Sequence, residues 1–143
     1  ILDMAAGIIG DPPVSALADY TDAPCLNLTR LRFADDDPVC IQHSTILTDE
    51  CPGLAAYDFT TRSLYKILSE DFHLYIAEIE YALSAQLADK VLAEQLQINK
   101  DAPLLTVTTT ARLDNGKIME YSESYYRADK YHYSISHKLK DQS

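Results

Sequence analysis

The chain has 143 residues, 47% apolar and 24% charged, which fits one globular domain with a hydrophobic core and excludes a disordered chain. Twelve Lys and Arg against 22 Asp and Glu leave a net charge of −10, so the surface repels phosphate backbones and the chain alone is a poor nucleic-acid binder. Three cysteines without C-x-x-C spacing, and no apolar run near the roughly 20 residues that span a bilayer, speak against a disulfide framework, a zinc site or a membrane span and for a reducing cytoplasm.

In chain order, residues 1–13 are apolar and end in Pro12-Pro13, suiting a helical turn and a loop. Val14–Tyr20 reads as a strand and Ala23-Pro24 as a turn. Cys25–Ala34 reads as a strand, the acidic turn Asp35-Asp36-Asp37-Pro38 follows, and Pro38–Leu47 reads as the antiparallel partner. Thr48–Ala56 has loop composition. Thr60 or Thr61 would cap a short amphipathic helix over residues 62–71, with Leu64, Ile67, Leu68 and Phe72 at helical spacing. His73–Leu83 is strand-like. Ala85–Leu96 returns to helical period, with Ala88, Val91, Leu92 and Leu96 on one stripe, and Asn99–Pro103 is a loop.

Leu104–Leu113 and Ile118–Arg127 flank Asn115-Gly116, the strongest hairpin signal in the chain. A two-residue loop there sets Asp114 opposite Lys117, Leu113 opposite Ile118 and Ala111 opposite Glu120. Tyr131–His137 reads as a last strand and Lys138–Ser143 as a polar tail. Strands in short connections with two helices between them predict an α+β fold, an antiparallel sheet with helices on one side.

Strand alternation then groups the side chains. Leu26, Leu28, Arg30 and Arg32 share a face, as do Cys40, Gln42, Ser44 and Ile46. Two arginines among leucines need neutralising if they face the core. A bound anion would do this; Asp35–Asp37 would do it if the strand faced solvent. In the second hairpin Leu105, Val107, Thr109, Ala111, Leu113, Ile118, Glu120, Ser122, Ser124 and Tyr126 share a face. Periodicity leaves open whether that face points to core or solvent. If inward, Glu120 and the serines need polar partners, which a ligand pocket would supply.

Other chemistry is missing. Gly7, Gly10, Gly53 and Gly116 build no phosphate loop. His43, His73, His132 and His137 form no H-E-x-x-H pattern, and His132 and His137 fall on opposite faces of an extended segment. No catalytic residue, metal or cofactor is assigned.

T-R-L-R-F-A-D-D-D-P-V (29–39), S-L-Y-K-I-L (63–68) and D-N-G-K-I-M-E-Y-S-E-S-Y-Y-R-A-D-K-Y (114–131) stand in order across most of the chain. Together they resemble the effector-binding UTRA domain of GntR-type transcription regulators of the HutC subfamily. The resemblance implies a chorismate-lyase-like fold, a central antiparallel sheet with helices packed on it, with residues 1–143 forming one such domain. It implies a small effector, a sugar phosphate or organic acid, whose binding reorients a preceding winged-helix DNA-binding domain. Ile1 in place of an initiator Met leads to the expectation that this domain has been removed. It also implies a homodimer that meets DNA only through that missing domain and does not meet a membrane.

By the same resemblance Arg30 and Arg32 match the R-x-R strand that holds an anionic group, a role suited to a planar, bidentate guanidinium. Ser63 and Tyr65 match the helix start, where backbone N–H groups favour anions. Glu120 matches the carboxylate that takes polar groups of the effector, and Tyr126 the tyrosine of the Y-R-x-D segment. Gln42 stands where sugar-phosphate sensors often carry Glu, which removes a partner for an ammonium group. Two other readings fit these residues, a chorismate-lyase-type enzyme and a dimerisation module without ligand.

Overall fold

The computed structural model describes residues 3–9 and 15–139. Six strands form one sheet: β1 (Asp3–Ile8), β2 (Pro24–Ala34), β3 (Asp37–Leu47), β4 (Ile76–Leu87), β5 (Pro103–Leu113) and β6 (Ile118–Arg127). Their order is β1-β2-β3-β6-β5-β4, and every neighbouring pair is antiparallel. Two hairpins, β2–β3 and β5–β6, meet at the centre of the sheet. The first turns on Asp35 and Asp36, with φ of 49° and 68°, the left-handed pair that suits the twist of a two-residue hairpin. Pro38 sits where the register shifts between Arg32 and Phe33, a bulge that accommodates its missing N–H.

Helix α1 (Leu64–Phe72) connects β3 to the far edge strand β4 and lies on the sheet face it crosses. Leu64, Ile67 and Leu68 pack there on Leu26, Leu28, Ile46, Leu113 and Met119. Its cap is Ser63, whose Oγ accepts from Lys66 N at 3.3 Å, rather than Thr60 or Thr61. Both of those hydroxyls donate to Asp58, so they are spent on a local turn. His73 then ends the helix in the left-handed region, which delays β4 to Ile76.

β4 continues to Leu87, through Ala85–Leu87 where helical periodicity predicts a helix. Pairing of Ala85 with Leu105 and Leu87 with Pro103 overrides that preference. Helix α2 (Lys90–Leu96) is accordingly short and starts at Asp89, whose Oδ1 accepts from Leu92 N at 2.8 Å. Ala88, Leu92 and Leu96 are buried, but Val91 of the expected stripe is exposed. α2 packs on Ile41 and Leu104, which alternate away from the α1 face. The helices therefore cover opposite faces of the sheet, not one side.

Ser15–Tyr20, expected as part of a strand, is a 3₁₀ helix that covers Cys25, Leu47 and Ile118; Val14 lies outside the described residues. Residues 131–139 form no strand.

The second hairpin turns through three residues. Leu113 N donates to Lys117 O at 2.9 Å, Gly116 N to Leu113 O at 3.0 Å, and Gly116 has φ +85°. A bulge at Met119, opposite the step from Ala111 to Arg112, absorbs the extra residue, so Arg112 pairs with Ile118 while Ala111 still pairs with Glu120. Met119 therefore joins Leu113 under α1, and Ile118 moves to the opposite face. The Ile118 N–H donates to the Tyr20 hydroxyl at 3.0 Å.

Candidate functional site

The α1 face is apolar at one end and polar at the other. Leu26 and Leu28 of β2 enter the core; Arg30 and Arg32, further along the same face, meet the N-terminus of α1. Cross-strand pairing sets Gln42 beside Arg30. Arg30 Nη2 donates to Gln42 Oε1 at 2.8 Å and Arg32 Nη2 to the same oxygen at 3.1 Å. A neutral amide thus aligns two cations. Neither arginine pairs with Asp35, Asp36 or Asp37 among the described ion pairs; Arg30 is half-buried and Arg32 is exposed at the mouth of the site.

Opposite the arginines stands Glu120, 5% exposed. Tyr65, in the first turn of α1, donates its hydroxyl to Glu120 Oε1 at 2.7 Å. That bond ties the helix start to β6 and settles which way the second hairpin faces. Burial, followed by the charge of Arg32, lowers the Arg30 pKa, while Glu120 opposes the shift. Burial and then Glu120 raise that of the Tyr65 phenol, which keeps it a hydrogen-bond donor.

Arg30, Arg32, Gln42, Ser63, Tyr65 and Glu120 line one cavity of about 230 Å³, together with Leu64. Six of the seven residues singled out from the sequence thus meet in one place. The Ser63 hydroxyl is engaged as the helix cap, and the first-turn N–H groups beside it have no partner within the helix. Two guanidinium groups against one carboxylate leave the wall formally positive. Among the described residues, two buried side-chain polar atoms, Arg30 Nε and Ser44 Oγ, have no hydrogen-bond partner. Such groups are rare in folded proteins and call for an explanation.

Tyr126 lies in an adjoining chamber of about 220 Å³, which shares Gln42, Tyr65 and Glu120 with the first. Its ring stacks on Tyr131, with centroids 4.0 Å apart and planes at 19°. Burial, then the neighbouring Cys40, pushes its phenol up to about 12. Tyr81, Val107, Thr109, Ser122, Ser124 and Tyr133 complete this chamber. Sequence reasoning did not assign those as site residues. The period-two signal sets Val107, Thr109, Ser122 and Ser124 on the face of Glu120, so these four are within its reach. Tyr131 and Tyr133 arrive on an irregular segment, for which no periodicity fixes a direction. Among the described residues no group of three His, Cys, Asp or Glu is placed to hold a metal ion. No helix is long and apolar enough to cross a membrane, and Cys25, Cys40 and Cys51 are buried and free.

Residues 14–132 match the family model of the UTRA domain. The chain belongs to the UTRA domain family. This UTRA domain is 32% identical over 104 residues to the HTH-type transcriptional repressor NagR of Bacillus subtilis, covering 73% of this chain and 42% of that one. It is 29% identical over 108 residues to the HTH-type transcriptional regulator GmuR of the same organism, covering 76% and 45% respectively. The matched part is therefore less than half the length of either relative. The UTRA fold superposes on a GntR-family transcriptional regulator from Enterococcus faecalis with a TM-score of 0.83 at 23% identity, covering 95% of this chain and 97% of that one. The six-stranded antiparallel sheet with its two helices is thus the α+β fold of GntR-family effector-domain structures.

Proposed function

We propose that this UTRA domain is the effector-sensing part of a GntR-type transcription regulator of the HutC subfamily, working in the cytoplasm as a homodimer. It binds a small anionic metabolite, a sugar phosphate or organic acid, at Arg30 and Arg32, with Gln42, Ser63 and Tyr65 around the anion and Glu120 and Tyr126 on the remainder. One observation carries the reading: two guanidinium groups converge on a concave site, and one of them holds a buried Nε with no partner. An anion accepting bidentate, charge-assisted bonds answers both the charge and the orphan. Glu120 and the serines beside it offer acceptors and donors to hydroxyl groups.

Regulation follows from linkage. A guest that bridges β2, β6 and the start of α1 favours the arrangement in which these close together. A winged-helix domain, which the family resemblance implies, would read that arrangement as altered DNA affinity; NagR and GmuR are themselves HTH-type regulators by name. Turnover has no part in this reading.

The test is a melting-temperature screen of the domain against sugar phosphates, phosphonates and organic acids. At least one should raise the melting temperature, and Arg32→Ala should remove most of the rise. A folded protein indifferent to the whole panel overturns the proposal.

A further inference from the structure

Gln42 stands where the two chambers meet and lines both. Cross-strand pairing sets it between Arg30 of β2 and Ser124 of β6. Its amide is oriented by charge. Oε1 accepts from Arg30 Nη2 at 2.8 Å and from Arg32 Nη2 at 3.1 Å, which occupies both lone pairs of a carbonyl oxygen. The reverse orientation would set an NH2 group against two guanidinium groups, donor against donor. The arginines therefore fix Nε2 as the end turned away from them, and among the described hydrogen bonds it has no protein acceptor.

Glu120 is the counterpart at the far end. Register sets Glu120 opposite Ile46 and Gln42 opposite Ser124, with the pair Ser44 and Ser122 between them. Ser122 and Ser124 thus floor a passage that runs from an amide donor to a carboxylate acceptor. Glu120 Oε1 already accepts from the Tyr65 hydroxyl, which leaves Oε2 for a guest. The two ends make different demands. Beside the arginines a guest meets donors, two of them cationic, so the atom next to Gln42 has to accept. A hydroxyl, ether or carbonyl oxygen does so. An ammonium group offers three donors and no lone pair, and it is repelled by both guanidinium groups.

We propose that Gln42 is a specificity-determining residue: it admits effectors in which a neutral oxygen follows the anionic group and rejects those in which an amine stands close to the anion. The inference rests on the anion site of the proposed function and narrows its guest to hydroxylated anions, such as hydroxyalkyl or polyol phosphates. Replacing Gln42 with Glu isolates the cause. One carboxylate oxygen still faces both arginines, while the atom offered to the guest changes from donor to acceptor.

Isothermal titration calorimetry of the 143-residue chain with hydroxyethyl phosphate, aminoethyl phosphate and inorganic phosphate tests this. The two organic phosphates differ only in a hydroxyl or an ammonium group held so near the anion that it falls at the Gln42 end. Wild type should bind the hydroxy compound about tenfold or more tightly than the amino compound. Gln42→Glu should lower that preference by about tenfold or reverse it. The ratio is the readout, because the added charge weakens the grip on both anions alike. If none of the three phosphates binds at about 10 mM, the anion site falls and this inference with it. Wild type without a preference for the hydroxy compound, or a variant that keeps the full wild-type preference, overturns this inference alone. If the variant does not fold, the wild-type ratio still decides. A second readout then is the Gln42 side-chain amide signal in the NMR spectrum of wild type: saturating hydroxyethyl phosphate should shift it, and an unmoved signal counts against Gln42.

Discussion

Replacing Arg30 with Met separates the ligand role of this residue from a structural one. Both arginine Nη2 atoms reach the same Gln42 oxygen, at 2.8 and 3.1 Å, so the two charges lie within about 6 Å. At that distance repulsion amounts to about 0.7–2.8 kcal/mol across an effective dielectric of 80 down to 20. Losing the bond to Gln42 removes about 1 kcal/mol of stability. These terms oppose each other, and methionine keeps the apolar stem, so without ligand the variant should melt within about 4 °C of wild type. With ligand the two proteins part. At a concentration 100-fold above Kd, wild type gains about 2.7 kcal/mol, or about 10 °C for a domain of this size. Two charge-assisted bonds lost from the anion cost about 3 kcal/mol and weaken Kd by about 150-fold. At the same ligand concentration the variant then gains about 0.3 kcal/mol, or about 1 °C. Scanning calorimetry with the best anion from the screen measures both quantities. A variant that keeps the full wild-type gain would refute the assignment of Arg30 to the anion, and a ligand-free collapse of tens of degrees would make Arg30 a structural residue.

Ile67→Ala removes a fully buried side chain between α1 and the sheet and should lower the unfolding free energy by about 3 kcal/mol; a urea titration that finds less than about 1 kcal/mol would contradict the packing described. Asp89→Ala deletes the cap of α2 and should lose about 1 kcal/mol by the same measurement, leaving the anion response unchanged. In alkali, Tyr65, Tyr125 and Tyr126 have raised pKa values, each first through burial. The folded state favours these phenols neutral, so their contribution is full below pH about 10 and is lost as pH rises, through about 12 for Tyr126. Absorbance at 295 nm should therefore show delayed tyrosines that titrate only as stability falls; all ten ionising together near pH 10 would rule this out.

The site residues were legible because most of them sit on strands, whose two-residue period needs no tertiary information. Arg30 with Arg32, and Glu120 with Tyr126, share faces whatever packs on them. The second hairpin shows how far such reasoning tolerates error. The loop is one residue longer than Asn115-Gly116 implies, and the bulge at Met119 absorbs that residue. Every pair from Ala111 and Glu120 onward keeps its predicted face, while Met119 and Ile118 exchange theirs. Element boundaries were the weaker part. Thr60 and Thr61 look like caps but donate to Asp58, and Ala85–Leu87 has a helical pattern that pairing with β5 overrides.

Side-chain alternation along the strands was thus determined by the sequence alone, and with it which groups could act together. Only the tertiary structure decided which face receives α1, that α2 covers the other, and that Tyr131 and Tyr133 close over the second chamber. The reason is physical: alternation is a local property of an extended backbone, whereas the side on which a helix or an arm comes to rest depends on burying surfaces far apart in the chain.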